Sequence, residues 1–570
     1  MERKMIIGID LGTTNSLVSV WMPDNGIVMI PNRYGDTLTP SVVGLDDTGQ
    51  VIVGKSARER LLTHPDQTVA LIKRHMGEDV SFLLGEEVYR PEELSAYILK
   101  SLKQDAETYL GEEVTQCMIS VPAYFTNVQR QATQAAAKIA GLEVVRLINE
   151  PTAAALAYGI QEETDCQYLV LDLGGGTFDV TLLDYFETVL SVNSSSGDKK
   201  LGGEDFTLAI VDYIVQNIQV EESSLSAKDR IKIRNAAEYL KHSLSDHEEV
   251  ETRIQLEAGE QKIMLSRFTF MRISEELLNR IKKTIIRTIR DAEVKLDEIE
   301  KVILVGGSSR IAIYKDFIKS LLKKEPELKI NIDESICVGV TVAVELKNEN
   351  PAFGEVILTD VAPHSLGIEI SKRTSHGWAS GVFSSIIDRN SFVPCSFEKS
   401  YSTIEPYQPS IQFDIYQGES LEVKQNLKIG SLTIPLTPKQ ETQSATVRFT
   451  YDINGVLLVD IQSDETGHSV QSVLIQNESM MKDLDVTRSI SKLQEIKKEN
   501  PFESTNEHLL AWASRLYQEV PSHYAYSIEN AIMEFKAILE NGSLPLKKKA
   551  QRQLKDFLQQ MEQHTIDVLS

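Results

Sequence analysis

The hydrophobic pattern of the chain contains an internal repeat. Residues 5–20 and residues 169–180 each begin with an apolar strand, pass through an Asp-Leu-Gly turn and continue as an alternating strand, with threonine beside the glycines. Two strand-turn-strand units of one plan predict two related lobes that hold one ligand between them.

The second unit has the composition of a phosphate-binding turn. Gly174, Gly175 and Gly176 follow an apolar strand directly, and glycine lets several backbone N–H groups converge on an anion because it has no Cβ. Asp172 and Asp179 flank the turn, and carboxylates beside a polyanion indicate a hard cation such as Mg²⁺ between them. On this motif alone, a tight glycine turn with solvated acids is the alternative.

The rest of the pattern separates into three regions. Apolar residues at helical spacing alternate with short apolar strands up to residue 348, and a third strand-to-glycine turn lies at 302–310. Brief alternating segments between turn residues then predict a β-sandwich, and amphipathic stretches after residue 477 predict a helical tail. The predicted helices include residues 57–63, 91–110, 127–141, 227–244 and 274–296.

Composition bounds the size and the partners of the protein. At 570 residues the chain is too long for one hydrophobic core, so roughly two to four domains are expected. The net charge of −24 argues against non-specific affinity for nucleic acid or anionic membranes. The four cysteines have no metal-ligand spacing and no run of 18 or more apolar residues occurs, which predicts a cytoplasmic protein with reduced thiols.

Several charged side chains are candidates for function from their position. Lys73 ends an apolar stretch and would be either a solvated helix-end charge or a lysine that reaches a phosphate. Glu150 precedes a proline at a predicted helix start, where a favourable interaction with the helix dipole is the alternative to a functional role. Glu238, Lys241 and Ser245 share one face of a predicted helix, although an i, i+3 Glu–Lys pair is usually only a surface ion pair.

Five motifs occur in a distinctive order. They are Gly-Ile-Asp-Leu-Gly-Thr-Thr-Asn-Ser at 8–16, Ile-Asn-Glu-Pro-Thr-Ala-Ala-Ala at 148–155, the glycine turn at 169–180, Leu-Val-Gly-Gly-Ser-Ser-Arg at 304–310 and Leu-Gly-Ile-Glu at 366–369. In this order they resemble the DnaK-type (seventy-kilodalton heat-shock) chaperones over nearly the whole chain. The compact length and the C-terminal third resemble the specialised HscC-like branch of that family.

The resemblance implies a multidomain fold. Residues 1–352 would form an α/β actin-like (ribonuclease-H-like) two-lobed ATPase domain, and residues 353–361 an interdomain linker. Residues 362–478 would form a β-sandwich substrate-binding domain and residues 479–570 a helical lid that is shorter than is usual in the family. Thr359 stands in the linker where relatives often have an apolar residue, so a buried hydroxyl there is expected to weaken linker docking.

The resemblance also implies the residues of an ATP site. The cofactors would be ATP or ADP and Mg²⁺, with K⁺ as a further candidate. Asp10, Asp172 and Asp179 would bind Mg²⁺ mostly through water, and they would form the catalytic set together with Lys73, Glu150 and Thr177. The residues implied to contact the nucleotide are Gly12, Thr13, Thr14, Asn15, Gly174, Gly175, Gly176, Gly202, Gly203, Glu238, Lys241, Ser245, Gly306, Gly307, Ser308, Arg310 and Asp333.

In the C-terminal half the resemblance implies a groove for extended apolar client peptides. Its residues would be Ile368, Ser371, Tyr401, Ile404, Ile411 and Phe413. The residues implied to couple the groove to the ATPase are Pro122, Arg130, Arg146 and Asp360. Arg146 matches a position that engages J-domain co-chaperones, and a nucleotide exchange factor is a further candidate partner.

The sequence therefore predicts an ATP-dependent chaperone. It would bind and release extended apolar segments of client proteins, with slow ATP hydrolysis as the switch between two states. Two alternatives share the ATPase superfamily: a small-molecule kinase, whose ATP consumption would depend on a metabolite, and an actin-like filament protein, which would sediment when ATP is added.

Overall fold

The structure is a computed structural model. It describes residues 5–159, 166–186, 189–218, 220, 222–327, 331–353, 356–374, 377–452, 454–465, 467–473, 486–490, 501–520 and 522–569. No helix among the described residues combines the length and the apolar composition that a membrane-spanning segment requires.

The N-terminal region is built on a mixed sheet, which we call the sheet of the first lobe. Its strand order is β11-β10-β1-β2-β3, with β4 beside β2. Strands β1, β2 and β3 are antiparallel, whereas β10 and β11 run parallel to β1. The elements are β1 (Ile6–Leu11), β2 (Asn15–Met22), β3 (Gly26–Met29), β4 (Thr39–Pro40), β5 (Val43–Leu45), β6 (Val51–Val53), α1 (Lys55–Thr63), β7 (Thr68–Val69), β8 (Phe82–Leu84), β9 (Glu87–Tyr89), α2 (Pro91–Leu110), β10 (Gln116–Val121), α3 (Asn127–Ile139), β11 (Glu143–Asn149) and α4 (Glu150–Gly159).

The second lobe repeats this plan. Its sheet has the order β17-β12-β13-β14-β18, in which β12, β13 and β14 are antiparallel and β17 runs parallel to β12. The internal repeat predicted from the sequence is therefore present in four strands of each sheet, β10-β1-β2-β3 and β17-β12-β13-β14, whereas β11 and β18 lie on opposite edges. The elements are β12 (Cys166–Leu173), β13 (Phe178–Phe186), β14 (Val189–Asp198), α5 (Gly203–Asn217), α6 (Ala227–Ser243), β15 (Glu249–Leu256), β16 (Gly259–Ser266), α7 (Arg267–Ile273), α8 (Glu275–Asp291), β17 (Lys301–Val305), α9 (Ala312–Leu322), α10 (Ser335–Lys347) and β18 (Ile357–Val361).

Local chemistry explains several helix ends. Helix α2 begins with Pro91, whose missing N–H would be unpaired at a first helical position in any case, and it ends at Gly111 with φ of 74°. Helix α3 begins with a capping box, because the Thr126 hydroxyl accepts from the N–H of Gln129 while the Gln129 side chain accepts from the N–H of Thr126. Helix α6 ends at Ser243, so Ser245 lies in the following turn and not on the helix face that its spacing predicted.

One apolar core joins the two lobes. Helices α4 and α10 pack against each other, and their buried side chains form one cluster with residues of β10, β12 and β17. The close approach requires glycine, because a Cβ on Gly339 would lie 1.7 Å from the carbonyl oxygen of Ala153. This shared core holds the two lobes together.

The third region is the predicted β-sandwich. One sheet has the order β20-β19-β23-β24 and the other β22-β25-β26-β27, and the buried faces of both contribute to one apolar core. The elements are β19 (Leu366–Thr374), β20 (Gly377–Ile387), β21 (Phe392–Val393), β22 (Cys395–Ser402), β23 (Ser410–Gln417), β24 (Leu427–Pro435), β25 (Ser444–Tyr451), β26 (Leu457–Ser463) and β27 (Ser469–Val473).

The predicted linker forms a strand. Strand β18 pairs in parallel with β14 of the second lobe and antiparallel with β21, so the sheet of the second lobe continues to the edge of the sandwich. The Thr359 hydroxyl donates to Ser191 Oγ at 2.9 Å. Because that hydroxyl has a hydrogen-bond partner, the cost expected from burying it is offset at least in part, and weakened docking at this residue stays a prediction.

The C-terminal region is helical, as predicted. Helices α11 (Pro501–Glu519), α12 (Ser522–Asn541) and α13 (Leu544–Leu569) share an apolar core. Helix α11 packs on α1 of the first lobe, and the helical residues 486–490 place Val486 in the first-lobe core. The predicted boundary between residues 478 and 479 lies outside the described residues.

Candidate functional site

The two glycine turns are in contact. A Cβ on Gly175 would lie 2.7 Å from Thr14 Cγ2, and one on Gly176 would lie 3.0 Å from Thr13 Cγ2. Gly12 is equally confined, because its Cβ would meet the carbonyl oxygen of Asn15 at 2.0 Å. Only glycine lets the second turn approach the threonine side chains of the first in this way, so the turns form a cradle that a Cβ would fill.

Five of the six predicted catalytic residues are buried next to one another below this cradle. Asp10 lies near the end of β1, Asp172 and Asp179 lie on β12 and β13, and Glu150 begins α4. Lys73 lies in a short 3₁₀ segment and donates to Glu150 Oε1 at 2.6 Å, with each side chain only 7% exposed. Lys73 is therefore not a solvated helix-end charge, and the Glu150 carboxylate pairs with its buried ammonium group.

The acids are held by donors that the sequence did not single out. Asp10 Oδ1 accepts from the Ser120 hydroxyl at 2.7 Å, because Ser120 stands beside it in the parallel register of β1 and β10. Asp179 Oδ1 accepts from the backbone N–H of Tyr124 at 3.0 Å. One sequence signal could have located Ser120. Strands β1 and β10 both end near glycine or proline, and parallel pairing of two such strands places Ser120 beside Asp10.

Burial, and after it the crowding of carboxylates, raises the pKa values of these acids. Burial, followed by the charge of Glu150, raises the pKa of Asp10 to about 6 and that of Asp179 to about 7. The pKa of Asp172 is raised well above its usual range by burial and by the neighbouring acids. Burial alone would lower the pKa of Lys73, but Glu150 and Asp10 raise it above its ordinary value.

The charges in this cluster fit a bound cation. Asp172 Oδ2 is buried and has no hydrogen-bond partner, and one lysine faces four buried carboxylates. A cation near these acids would lower their pKa values and satisfy the unpaired oxygen. Thr177, the sixth predicted catalytic residue, is half-buried in the glycine turn, where its carbonyl accepts from the N–H of Gly174 at 3.1 Å.

The predicted adenosine residues come together on the second lobe. Lys241 Nζ donates to Glu238 at 2.8 Å and to the carbonyl of Gly203 at 3.2 Å. Lys241 is buried, so this pair is not the surface ion pair that an i, i+3 spacing usually indicates. Burial alone would raise the pKa of Glu238, but hydrogen bonds from His242 and Lys241 hold it below its usual range.

The third glycine turn borders the same pocket. A Cβ on Gly203 would lie 2.1 Å from Ser308 Oγ, and one on Gly202 would lie 2.5 Å from the backbone nitrogen of Gly176. Gly306 has φ of +79°, and its Cβ would meet Asp172 Oδ1 at 2.5 Å.

The remaining predicted residues lie after β17, before α10 and after α6. Arg310 Nη1 and Asp333 Oδ1 are 2.7 Å apart, and a Cβ on Gly307 would lie 3.1 Å from that oxygen. Ser245, in the turn after α6, is half-buried, and its N–H donates to the carbonyl of His242.

An ion pair that the sequence did not predict crosses the cleft. Arg74, next to Lys73, donates from Nη2 to both oxygens of Asp205 at 2.9 and 3.0 Å. Asp205 lies in the first turn of α5 and also accepts from the N–H of Gly202 at 2.8 Å. The pair therefore links the first lobe to the segment that borders the glycine turn.

Two of the four predicted coupling residues, Arg130 and Asp360, are joined by a chain of hydrogen bonds. Arg130 Nη2 donates to Asn149 Oδ1 at 2.6 Å, and Asn149 Nδ2 donates to Asp360 Oδ2 at 2.7 Å. Asn149, which links the two, was not predicted. Arg146 is half-buried near Asp360, and Pro122 is buried, with its carbonyl accepting from the N–H of Phe125 at 3.1 Å.

The six predicted groove residues have different exposures. Ile368 and Phe413 are buried in the sandwich core, whereas Ser371, Tyr401 and Ile411 are half-buried and Ile404 is exposed. The Tyr401 and Phe413 ring centroids are 6.2 Å apart, and the Tyr401 hydroxyl lies 3.1 Å from Ser384 Oγ.

Known proteins match this chain along its whole length. A family model described as Hsp70 protein matches residues 6–84 and 79–568. The chaperone protein DnaK of Thermotoga neapolitana is 32% identical over 569 residues, which cover 95% of this chain and 94% of that protein. The chaperone protein DnaK of Thermosipho africanus is 33% identical over 568 residues, with 95% and 94% covered, and that of Thermosipho melanesiensis is 33% identical over 547 residues, with 94% and 89% covered.

The cleft, the sandwich and the C-terminal helices thus belong to a chaperone of the ATPase class. Within that class, the chain is a member of the Hsp70 family. The prediction of an ATP-dependent chaperone is confirmed, and neither the small-molecule kinase nor the filament protein is favoured.

Proposed function

We propose that ATP binds between the two glycine turns and that its hydrolysis there switches a peptide-binding site in the β-sandwich. The observation that carries the proposal is the buried Lys73–Glu150 ion pair beside Asp10, Asp172 and Asp179. Burying so many charged groups costs folding free energy unless a bound ligand pairs with them, and such clusters are typical of functional sites. The proposal divides the chain into an ATPase domain at 1–352, a linker at 353–361, a substrate-binding domain at 362–478 and a lid at 479–570.

The residues of the cleft fit a nucleotide with Mg²⁺. Asp10, Asp172 and Asp179 would hold the ion mostly through water, and K⁺ is a further candidate. The unpaired Asp172 oxygen and the raised pKa values of the three acids support a cation at this place. When bound, Mg²⁺ would neutralise negative charge on the phosphates.

Side chains and backbone groups of the protein would position the nucleotide and the attacking water. Backbone N–H groups of Gly12, Gly175 and Gly176 would receive the phosphates, with the hydroxyls of Thr13 and Thr14 beside them. Lys73 and Glu150 hold each other at 2.6 Å and would orient the attacking water and the γ-phosphate. Glu238, Lys241 and Ser308 would contact the adenosine. Phosphoryl transfer depends on such fixed geometry more than on covalent chemistry.

Substitution of Lys73 tests the ATP site. Lys73→Ala should lower single-turnover hydrolysis of bound ATP by at least about a hundredfold while ATP still binds, because the lysine contributes to the reacting phosphate rather than to the adenosine pocket. Lys200→Ala, in an exposed lysine that lies 3.9 Å from Glu78 and outside the acid cluster, is the matched control. Normal hydrolysis in Lys73→Ala with retained ATP binding would refute the assignment.

The proposed output of the site is client binding. Extended apolar segments would occupy a groove that includes Tyr401, Ile404 and Ile411, and hydrolysis would be slow so that client binding can be completed. The hydrogen bonds from Arg130 through Asn149 to Asp360 support a coupling path to the linker. The proposed partners are a J-domain co-chaperone that engages Arg146 and a nucleotide exchange factor. A cytoplasmic location and the HscC-like branch belong to the same proposal.

A further inference from the structure

The loop at residues 122–126, which we call the Tyr124 loop, touches the nucleotide site at two places. The N–H of Tyr124 donates to Asp179 Oδ1 at 3.0 Å. Lys73 Nζ lies 5.8 Å from the centroid of the Phe125 ring. The conformation of the loop therefore sets the position of one carboxylate and the surroundings of the buried lysine.

Two side chains hold the carbonyls of this loop. Arg130 donates to the carbonyl oxygens of Ala123 and Phe125 at 3.2 and 3.4 Å. The carbonyl between them, that of Tyr124, accepts from His364 Nε2 at 3.1 Å. Arg130 belongs to the first lobe, whereas His364 follows the linker strand β18 and precedes the first strand of the sandwich.

His364 has one tautomer that satisfies this contact. A carbonyl oxygen only accepts, so Nε2 must carry the proton. The His364 ring also packs on the Tyr124 ring with centroids 4.0 Å apart, and the residue is 6% exposed. His364 thus fixes Tyr124 through both its carbonyl and its ring.

We propose that His364 is a positioning residue for ATP hydrolysis. It reaches from the substrate-domain side of the linker to the residue whose N–H binds Asp179, and it holds the Tyr124 loop only while the domains are docked. Two further hydrogen bonds between the sandwich and the lobes end elsewhere: Asn454 Oδ1 accepts from the N–H of Leu147 on β11, and Asn390 Oδ1 from that of Ser195 on β14. The inference rests on the proposed function, in which Asp179 belongs to the ATP site.

The test separates the donor from the ring in the full-length chain. His364→Phe keeps a ring against Tyr124 and removes the N–H, whereas His364→Gln places an amide N–H at a similar reach. His364→Phe should slow single-turnover hydrolysis about three- to tenfold, the range that one net hydrogen bond corresponds to, with ATP affinity changed less than about twofold. His364→Gln should restore most of the rate.

A second readout reports on the loop itself. In His364→Phe, hydrogen exchange at the backbone amide of Tyr124 should become faster, because the loop loses one of its anchors. Asn454→Ala is the matched control, since it removes an interdomain hydrogen bond between a side chain and the backbone that ends on β11 and not on the loop. It should leave Tyr124 exchange unchanged.

Each outcome decides one point. A wild-type rate in His364→Phe, or equal slowing in His364→Phe and Asn454→Ala, would overturn the positioning role. Failure of His364→Gln to restore the rate would also overturn it, because the donor would then not matter. Lys73→Ala, measured alongside, separates failure of the proposed function from failure of this inference. If Lys73→Ala hydrolyses ATP normally, the proposed function fails. If Lys73→Ala is inactive while His364→Phe has the wild-type rate, only the positioning role of His364 fails.

Discussion

Arg515 joins the C-terminal helices to the first lobe, and its removal should detach them. The guanidinium on α11 donates to Glu59 of α1, to Glu519 at 2.6 Å and to Glu562 of α13 at 2.5 Å. Glu59 and Glu519 are 6% and 18% exposed, so both carboxylates are largely desolvated. Burial alone would lower the pKa of Arg515, but the three glutamates raise it above its ordinary value.

In Arg515→Met, three carboxylates would lose their shared cation, and among the described residues only Glu59 would keep a nearby positive charge, that of the exposed Arg58 at 3.9 Å. Removal of one partner of a buried ion pair costs about 3–5 kcal/mol. Because about 1.4 kcal/mol is a factor of ten, the equilibrium between docked and undocked helices should shift toward the undocked state by roughly two to three and a half orders of magnitude. The two lobes have their own cores and should stay folded.

Hydrogen exchange in the full-length chain measures this shift. Exchange in α1 and α11 should become faster in Arg515→Met, while exchange in β12 and β13 should stay as it is. Adding Glu519→Gln and Glu562→Gln should restore much of the protection, since the repulsion is then removed. The control is Arg552→Met, in an exposed arginine of α13. Unchanged exchange of α1 in Arg515→Met would refute the reasoning.

Three further predictions concern the cleft, the interface and the groove. Gly203→Ala should weaken ATP binding at least about tenfold, because its Cβ would meet a serine oxygen at 2.1 Å, whereas Gly174→Ala, whose nearest neighbour is at 3.7 Å, should bind ATP more nearly normally; equal affinities in a nucleotide titration would contradict this. Burial lowers the pKa of His508 from 6.5 to about 4. The packing of α11 should therefore be fully stable above pH 6.5 and lose about 1.4 kcal/mol per unit as the pH falls toward 4; urea titrations in which His508→Phe keeps the same pH dependence would count against this. Ile411→Phe should block peptide binding by filling the groove, and unchanged affinity for an apolar heptapeptide would place the groove elsewhere.

Several parts of the fold and site follow from local chemistry and were predictable. Alternating and helical periodicities located the sandwich, α2 and α3, because side-chain periodicity reflects which face is buried. The strand-to-glycine turns located Asp172 and Asp179, because a turn that holds an anion needs glycine at adjacent positions. The spacing of Glu238 and Lys241 placed them together, although it could not show that Lys241 is buried.

The tertiary structure alone decided which distant groups meet. Lys73 and Glu150 are 77 positions apart, and Tyr124 and His364 are 240 apart. Such pairs leave no periodic signal, because their contact depends on how whole sheets and domains pack and not on the residues near them in the chain. The sequence by itself therefore determined the elements and the chemical groups available to each turn. Packing determined that the linker is a strand, that the acids share one desolvated cluster, and that a histidine beyond the linker reaches the Tyr124 loop.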